Sequence, residues 1–520
     1  MTPIRLMQFL VATTVAMLSP AGNLVAADAR QESMDSIVTR AIEQFQVPGM
    51  TLSVVQEGEL RLAKGYGALE TGKGGKVDED TLFQIGSVSK AFTAAALALL
   101  ADEGKLSFDD RVIDHLPEFR MYDPWVTREF TIRDLLTHRS GLPLGAGDLL
   151  IFPNAESTRD EVVHAMRYFE PATSFRSQFA YDNLLYIVAG EVVAKVAGMP
   201  FDDFLEQRLL APLGMDDCRA TLERVAATAD KATPHVLVDG QLETTGSGIT
   251  PVAAAAGGVN CSASGMAHWM QFVLSRGQLA DGTQLVSEKQ FAQLVQPVTL
   301  LSTPPYLAEH AGALLNAYAL GWNVHSFHGQ PALSHGGGVW GMTTFLMVLP
   351  DAQLAVFASG NQLTAAPRAV VYDVAEAWLG GPDPDWVGII DELTQSRRGA
   401  GKEAVEQAQQ ERAEDSRPSL PLEAYAGTYR DPWYGDIEVR LQDDSLWFYS
   451  GRSAVLNGPL EHFQFDTFIA RWSDRRLNAD AYVSFSLSPT GEVERIRMKA
   501  VSPTTDFSYD FHDLDLRRIE

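Results

Sequence analysis

The chain has 520 residues, of which 46% are hydrophobic and 21% are charged. This ordinary globular composition excludes a disordered, collagen-like or disulfide-stapled protein, and the length predicts two or three domains. Lysine and arginine number 41 and aspartate and glutamate number 67, so the formal net charge at pH 7 is −26. A chain this acidic repels phosphate backbones, which argues against nucleic acid as a partner.

The cysteine content limits the possible metal sites. Cys218 and Cys261 are too few for a zinc ribbon or an iron–sulfur cluster built on four thiolates. No H-E-x-x-H motif or paired-histidine spacing occurs, so we expect neither a metal nor another cofactor. Whether the two cysteines form a disulfide stays open, and we interpret each as a small buried hydrophobic residue.

The first 27 residues resemble a signal peptide. Arg5 is followed by an apolar stretch at Phe9–Leu18, and Val25–Ala27 offers small residues for cleavage before Asp28. The apolar run of about ten residues is too short to span a bilayer, and no later run reaches roughly 18 apolar residues. A buried N-terminal helix is the alternative. We expect an exported protein, periplasmic or extracellular, without a membrane span.

Helix and strand patterns alternate along residues 31–385. Apolar residues recur at helical spacing from Ile37 to Phe45, and Thr51–Val55 and Leu60–Ala63 then predict a β-hairpin. Further helices are predicted at Ala91–Leu100, Thr131–Leu136, Leu184–Val196 and Ala369–Leu379, and further strands at Met342–Leu349 and Leu354–Phe357. Because strands lie at both ends with helices between them, we predict an α+β domain. Its antiparallel sheet would be flanked by helices and accompanied by a mostly helical subdomain.

The last third of the chain changes character. Residues 386–419 are predicted to be a charged linker, most clearly at Ser396–Ser419, where Glu, Gln, Arg and Ala dominate. From Leu420 the hydrophobic period becomes two, as at Ile437–Leu441 and Val483–Leu487. Short, evenly spaced strands over residues 420–520 predict a small antiparallel barrel or sandwich. The Tyr and Trp residues at 425–449 are interpreted as barrel core, with a ligand cavity as the alternative.

Ser87 and Lys90 form an S-x-x-K motif directly before the apolar run that starts at Ala91. Residues three apart share one helix face, so the hydroxyl and the amine can meet there. Loss of solvation would favour the neutral, basic form of Lys90, and free N–H groups of the first helical turn would stabilise a developing oxyanion. One or two such motifs occur by chance in ~500 residues, and an N-capping serine beside a snorkelling lysine is the alternative.

Two later motifs strengthen the catalytic interpretation. Tyr181 and Asn183 stand at the start of the predicted helix at 184–196, and His335 precedes three glycines. A lysine cation would favour the phenolate of Tyr181, which could then relay protons, and the Asn183 amide could hold a substrate carbonyl. The glycines after His335 would let a substrate backbone approach a strand edge. The stretch Gly336–Gly341 also fits G-x-G-x-x-G, but a strand follows it, which argues against nucleotide binding.

The chain resembles the penicillin-recognising serine hydrolases of the class C β-lactamase group, which include D,D-carboxypeptidases, D-aminopeptidases and related esterases. The matching stretches, spread over about residues 31–385, are Phe83–Lys90, Leu135–Pro143, Phe179–Asn183, Ala211–Met215 and His335–Gly337. The region from Leu420 looks like the lipocalin-like domain that often follows this catalytic domain. That weaker match lies at Tyr425–Tyr429, Tyr434–Gly435 and Asp506–Phe511.

The resemblance implies a role for each matching residue. Ser87 is the implied nucleophile, and Lys90 and Tyr181 share the general acid and base work, as a coupled pair in which the first proton acceptor is open. Asn183 orients the substrate. The third wall of the site is implied to consist of His335, Gly336 and Gly337, with the amides of Ser87 and Gly338 as oxyanion donors.

One departure from the family bears on the substrate. Many β-lactamases carry Lys-Thr-Gly where this chain has His335-Gly336-Gly337. A lysine offers a permanent cation to the antibiotic carboxylate, whereas His335 should be mostly neutral at pH 7. The departure favours the peptidase and esterase members of the group. His138, within the matching stretch at 135–143, is interpreted as structural.

We therefore expect an exported, metal-free serine hydrolase that forms an acyl-enzyme on amide or ester substrates, with peptides containing D-residues as the expected class. A class C-type β-lactamase or a carboxylesterase is the alternative, so the partner is a small peptide, a β-lactam or an ester. A protein of a different class, a penicillin-binding sensor or scaffold, would acylate once and stall. The C-terminal domain is expected to restrict access to the cleft or to mediate assembly, and the oligomeric state is open.

Overall fold

The computed structural model describes residues 20–382 and 384–519. Residues 1–19 of the predicted signal peptide lie outside this range, and its cleavage region falls in the first helix. The longer helices are α1 (Pro20–Phe45), α2 (Ser89–Asp102), α3 (Leu184–Ala197), α4 (Ala263–Leu274), α5 (Ala366–Leu379) and α6 (Trp386–Gln410). Among the described residues no single helix is long and apolar enough to cross a membrane, although α3 and Phe201–Leu210 pass that test jointly across a 77° bend.

An eight-stranded antiparallel sheet forms the centre of the first domain. Its strands are β1 (Gly49–Gln56), β2 (Glu59–Gly67), β3 (Thr299–Leu300), β4 (Asn316–Tyr318), β5 (Asn323–Phe327), β6 (Gln330–Val339), β7 (Met342–Leu349) and β8 (Leu354–Gly360). They lie in the order β2-β1-β8-β7-β6-β5-β4-β3. Because β1 pairs with β8, Val54 is opposite Val356 across some 300 residues of chain. The predicted α+β fold, with a sheet assembled from distant segments, is confirmed.

The core occupies both faces of this sheet. Helices α1 and α5 cover one face, where Val38 and Val370 are buried with Leu52 and Val356. Helix α4 packs on the opposite face of β1 and β8. Helix α2 is buried along nearly its whole length and packs on α3, which explains why its sequence is apolar on every side.

Shorter helices complete the helical subdomain beside α2 and α3. They are Val112–His115, Pro124–Glu129, Ile132–Leu136, Arg159–Ala165, Phe201–Leu205 and Glu288–Val295, whereas the helix Pro305–Ala311 packs in the core with α1 and α5. A disulfide joins Cys218 to Cys261 within this region, with the two Cα atoms 4.4 Å apart. Both residues are buried, as expected. The pairing that the sequence left open is a disulfide in the structure, so the two residues are buried as a bonded pair and not as two separate hydrophobic side chains. Gly265 lies beside the bond, where a Cβ would be 2.5 Å from Cys218 Sγ.

The second domain is a closed antiparallel barrel of eight strands. These are β9 (Gly427–Asp431), β10 (Gly435–Gln442), β11 (Ser445–Ser450), β12 (Asn457–Gln464), β13 (Thr467–Ala470), β14 (Ala481–Leu487), β15 (Val493–Ala500) and β16 (Leu516–Arg518). The barrel closes where Tyr429 of β9 pairs with Arg518 of β16. The predicted small barrel is confirmed, and Tyr425, Tyr429 and Tyr434 are buried in it.

Helix α6 connects the two domains and covers most of the predicted charged linker. Its first turn is not solvated, because Trp386, Val387 and Ile390 are buried in the core beneath α1 and α5. The barrel also docks on the catalytic domain directly. The Arg452 guanidinium donates to the Glu156 carbonyl at 2.9 Å, and the Ser453 hydroxyl donates to the Pro153 carbonyl at 2.6 Å.

Candidate active site

Ser87 lies in a short 3₁₀ turn, Gly86–Val88, directly before α2. Gly86 has a φ of +52°, a left-handed conformation that glycine adopts without strain. A Cβ on Gly86 would lie 2.6 Å from the Gly338 amide nitrogen, so the turn packs backbone to backbone on strand β6. The glycines after His335 were expected to make room for a substrate, but Gly337 makes room for the protein's own Ser87 turn. Beside Gly338, by contrast, a Cβ would meet none of the described atoms within 4 Å.

Lys90 is fully buried in the first turn of α2 and points back toward Ser87. Its Nζ is 3.1 Å from Ser87 Oγ, 2.7 Å from Asn183 Oδ1 and 2.8 Å from the Ala256 carbonyl oxygen. Burial lowers the pKa of Lys90 from 10.5 to about 7, although Asp148 and Asp182 oppose this shift. Near neutral pH a large share of the amine is therefore uncharged and can accept a proton.

Tyr181 reaches the same point from the loop before α3. The Lys90 Nζ lies 4.7 Å from the centre of its ring. The hydroxyl is buried, and none of the described residues forms a hydrogen bond of normal geometry with it. Burial raises the pKa of Tyr181, with a smaller opposing effect from the nearby Ser87 hydroxyl. The expectation that a lysine cation favours the phenolate is wrong, because desolvation outweighs that attraction and Lys90 itself is only partly charged.

Asn183 links Lys90 to a buried carboxyl group. Its Oδ1 accepts from Lys90, and its Nδ2 donates to Asp148 Oδ2 at 2.8 Å. Both ends of the amide are thus engaged within the protein, which fixes its orientation. Its predicted contact with a substrate carbonyl stays a prediction.

Asp148 is the residue of this site that sequence reasoning missed. It is fully buried, and burial together with the neighbouring Asp182 raises its pKa to about 8. Burial also raises the pKa of Asp182, to about 7. An ionisable residue inside the apolar stretch Gly147–Ile151 is a signal that could have drawn attention to it, because such a group is rarely buried without a partner.

His335 lies on β6 and is 3% exposed. Its Nδ1 is 2.6 Å from the Gly336 carbonyl oxygen, so that nitrogen carries the proton, and its Nε2 accepts from the Tyr318 hydroxyl at 2.8 Å. Burial lowers the pKa of His335 to about 3, which confirms that it is neutral at pH 7. Because the protein engages both ring nitrogens, His335 offers neither a cation nor a free N–H group at this wall.

A second histidine supports Tyr181 from behind. His138 is buried, its ring centroid lies 4.2 Å from that of Tyr181, and its Nδ1 accepts from the Asp182 amide at 3.2 Å. Burial lowers the pKa of His138 well below its ordinary value, so it is a neutral packing residue. This geometry agrees with its interpretation as structural.

The structure thus brings Ser87, Lys90, Tyr181 and Asn183 together and adds Asp148 beneath them. Gly337 and Gly338 pack against the Ser87 turn, whereas a Cβ on Gly336 would face Phe345 and Arg368. The substrate wall expected from His335, Gly336 and Gly337 stays a prediction. A hydroxyl beside a buried amine whose pKa is near 7 is an arrangement suited to nucleophilic catalysis.

Known proteins share this architecture. The sequence profile of the family described as Beta-lactamase matches residues 34–377, and that of a domain of unknown function, DUF3471, matches residues 411–518. Among solved structures, the octameric penicillin-binding protein homologue from Pyrococcus abyssi superposes with a TM-score of 0.61, at 21% identity over 94% of this chain and 99% of that one. The structure of SurE with D-Leu gives a TM-score of 0.52, at 21% identity over 95% of this chain and 100% of that one.

Two curated proteins are similar to this chain in sequence. The unguisins hydrolase ungD' of Aspergillus campestris (strain IBT 28561) is 28% identical over 82% of this chain and 80% of its own length. Penicillin-binding protein 4 of Amycolatopsis lactamdurans is 30% identical over 64% of this chain and 86% of its own length. Since one profile covers well over half of the chain, the protein belongs to the Beta-lactamase family of serine hydrolases.

Proposed function

We propose that this protein is an exported serine hydrolase that cleaves amide or ester bonds through an acyl-enzyme on Ser87, with peptides containing D-residues as its substrates. The observation that carries the proposal is the position of the Lys90 amine, buried and 3.1 Å from Ser87 Oγ. A buried amine with a pKa of about 7 can act as a base at neutral pH without the help of a metal ion or a carboxylate.

In the acylation step, Ser87 Oγ attacks the substrate carbonyl carbon while its proton passes to the neutral Lys90 Nζ. The carbonyl π electrons move onto the oxygen, and the amides of Ser87 and Gly338 are the proposed donors to that oxyanion. No described group forms a hydrogen bond with the Ser87 amide, which is therefore free to donate. When the oxyanion collapses, the carbonyl carbon–nitrogen or carbon–oxygen bond breaks and the ester on Ser87 remains.

Tyr181 is the proposed acid for the leaving group. Because burial keeps its hydroxyl protonated, it can give that proton to the departing amine or alkoxide and regain one from the Lys90 ammonium. In deacylation, water loses a proton to the same pair of groups and adds to the ester carbon. Collapse then breaks the ester bond, returns a proton to Ser87 Oγ and releases the acid.

The substrate class rests on the wall formed by His335 and on the relatives. A neutral, fully engaged His335 gives this wall no cation for the carboxylate of a β-lactam. The names of the similar proteins add support, since one is an unguisins hydrolase and another was solved with D-Leu. A β-lactam remains the second candidate, because Penicillin-binding protein 4 is also among the relatives.

Export is supported by two features of the fold. The disulfide between Cys218 and Cys261 favours an oxidising compartment. Cleavage after Ala27 would also leave intact the part of α1 that contributes Met34, Val38, Ala41 and Phe45 to the core. N-terminal sequencing of protein recovered outside the cytoplasm tests this, and recovery of the intact N-terminus there would contradict cleavage.

A substrate panel tests the activity itself. The purified chain is assayed with D-amino acid amides, D-Ala-D-Ala peptides, p-nitrophenyl esters and nitrocefin, next to Ser87→Ala. Ser89→Ala is the matched control, because Ser89 belongs to the same motif but its hydroxyl only accepts from the Val259 amide at 3.1 Å. We expect turnover beyond the first equivalent with D-residue substrates, loss of it in Ser87→Ala, and an acyl mass increment on Ser87. A stoichiometric burst without turnover on every substrate would instead identify a sensor or scaffold.

A further inference from the structure

One segment of the C-terminal barrel domain reaches into the active-site loop of the catalytic domain. A Cβ on Gly145 would lie 2.8 Å from the Phe507 ring, so these two residues are in close contact. The Ser508 hydroxyl donates to Asp148 Oδ2 at 2.8 Å. Asp510 accepts from the amides of Gly147 and Leu149 at 2.7 and 3.0 Å, one on each side of Asp148. The barrel domain therefore contacts the loop that carries Asp148 through hydrogen bonds at Asp148 itself and at the residue on each side of it.

These contacts continue without a break to the proposed nucleophile. Asp148 Oδ2 accepts from Ser508 and from Asn183 Nδ2, both at 2.8 Å. Asn183 Oδ1 accepts from Lys90 Nζ at 2.7 Å, and the same Nζ is 3.1 Å from Ser87 Oγ. Four hydrogen bonds thus connect a serine of the second domain to the hydroxyl of Ser87, about 420 residues earlier in the chain.

We propose that Ser508 is a positioning residue of the active site: by holding Asp148 it fixes the Asn183 amide and thereby places the Lys90 amine beside Ser87. This inference rests on the proposed function, because it gives Lys90 the role of the base. It makes the C-terminal domain a structural part of the catalytic centre and not only a neighbour that limits access. Ser508 touches no reacting atom, so its effect is transmitted entirely through Asp148 and Asn183.

The geometry explains why the contact matters. Asp148 is buried, and within the described part of the chain its Oδ1 has no hydrogen-bond partner, so Oδ2 provides all of its side-chain hydrogen bonds. Without the Ser508 hydroxyl, Oδ2 would keep only the Asn183 amide as a donor. A carboxyl group with a single partner can rotate, and Asn183 would then lose the fixed orientation that presents Oδ1 to Lys90.

Loss of the Ser508 hydroxyl should change the pKa of Lys90 in one direction. The ionisable groups around Lys90 are Asp148, Asp182, Tyr181, Tyr186, His138 and His335, and those around Asp148 are Asp182, Asp510 and Lys90. The hydrogen bond from Ser508 lowers the pKa of Asp148, and the negative charge on Asp148 raises the pKa of Lys90. Because the pKa of Asp148 is about 8, this carboxyl group is only partly ionised where Lys90 titrates, and removing the hydroxyl protonates it further and so lowers the pKa of Lys90.

The test compares Ser508→Ala and Ser508→Thr in the full-length protein. Ser488→Ala is the matched control, because Ser488 is a serine of the same barrel whose hydroxyl bonds only within its own turn, to Thr490 and Glu492. Two quantities are measured: the pH dependence of kcat/KM on the best substrate of the panel, and the titration of the Lys90 side chain by NMR of lysine labelled with ¹³C at Cε, assigned with Lys90→Gln. The second readout needs no turnover.

For Ser508→Ala we expect kcat to fall about 3- to 10-fold, as for the loss of one buried hydrogen bond. The acid limb of the pH profile and the Lys90 titration should both move to lower pH. Ser508→Thr keeps the hydroxyl and should restore both, while Ser488→Ala should match the wild type.

An unchanged Lys90 titration in Ser508→Ala overturns the inference, as does a uniform loss of kcat with no movement along the pH axis, which would mark a merely structural role. If no substrate is turned over and yet the Lys90 titration moves as expected, the proposed function fails while the positioning role stands. The thermal unfolding transition of each variant is measured as a control, to verify that every variant is folded under the assay conditions.

Discussion

Gly337 and Ile85 are in direct backbone contact. A Cβ added to Gly337 would lie 1.9 Å from the Ile85 carbonyl oxygen and 3.1 Å from the Ser87 amide nitrogen. The first distance is far below any van der Waals contact, and its partner is backbone, which cannot rotate away. The absence of a side chain at residue 337 therefore sets the distance between the Ser87 turn and strand β6.

Gly337→Ala should separate these two elements and displace Ser87. We expect acylation to slow by about 100-fold or more, because a shift of about 1 Å at a nucleophile costs that much. Gly338→Ala should have a smaller effect, seen mainly in KM, because a Cβ there meets open space among the described residues. Stopped-flow acylation rates measure both variants. Gly399→Ala, on the exposed face of α6, is the neutral control, and equal losses in the two strand variants would contradict this reasoning.

The pH dependence of the wild type follows from Lys90. Its pKa of about 7 means that the amine is charged and inactive as a base at pH 5 and neutral at pH 8 or above. We expect kcat/KM to rise with pH through about 7, with a limb broadened by Asp148 and Asp182, which titrate nearby. Lys90→Arg, whose guanidinium stays charged, should lose about 10³-fold in kcat at every pH. A flat profile between pH 5 and 8 would exclude Lys90 as the base.

Much of the fold could be predicted because its signals are local. The all-round apolar run after Lys90 predicted a buried helix, and the period of two after Leu420 predicted the barrel. The S-x-x-K spacing placed Ser87 and Lys90 on one helix face, and the structure confirms that they meet. Each of these inferences needs only residues that are neighbours in the sequence.

The remaining features depend on contacts between distant segments. Asp148 gains its importance from Ser508, 360 residues later, and nothing near Ser508 in the sequence indicates that contact. The protonation state of Tyr181 was predicted wrongly because its burial, which outweighs the neighbouring lysine, is a property of the assembled site. For the same reason, sequence could not show that Gly337 serves the packing of the Ser87 turn.

Phe507 should influence which substrates enter the site. Its ring stands edge-on to that of Tyr181, with the centroids 5.8 Å apart, and 38% of the residue is exposed. Phe507→Ala should raise kcat/KM several-fold for bulky peptide substrates and leave small p-nitrophenyl esters nearly unaffected, because removal of the ring opens space beside Tyr181 that only a bulky substrate would fill. Phe465→Ala, an exposed phenylalanine elsewhere on the barrel, is the control. The same change for large and small substrates would contradict a role in access.

The disulfide should contribute to stability more than to catalysis. It links Cys218 to Cys261 across 43 residues, and removing such a bond typically costs about 2–4 kcal/mol of unfolding free energy. Cys218→Ala/Cys261→Ala should therefore lower the denaturation midpoint while kcat at 25 °C stays within about two-fold of the wild type. Reductant should destabilise the wild type and leave the double variant unchanged. If reductant has no effect on the wild-type midpoint, the two cysteines are not bonded in solution.

Asp148 should make the protein less stable as the pH rises. Its folded-state pKa of about 8 lies above the ordinary value of 3.8, so the folded chain holds a proton that the unfolded chain releases, and stability falls between about pH 4 and pH 8. Asp148→Asn cannot ionise and avoids this cost. Its melting temperature relative to the wild type should therefore increase from pH 5 to pH 8, by the equivalent of at least about 1 kcal/mol.

Asp134 should show the opposite dependence of stability on pH when melting temperatures are compared in the same way. Its hydrogen bonds with Arg176 and Thr131 outweigh the effect of its burial and hold its pKa below the ordinary value, so its contribution is present above about pH 4 and is lost as the pH falls. Asp134→Asn should therefore destabilise the protein more at pH 7 than at pH 4, which reverses the trend of Asp148→Asn. If both variants instead lose more stability relative to the wild type at pH 7 than at pH 4, Asp148 is ionised in the folded state. The hydrogen bonds from Ser508 and Asn183 would then be made to a carboxylate that is charged at neutral pH.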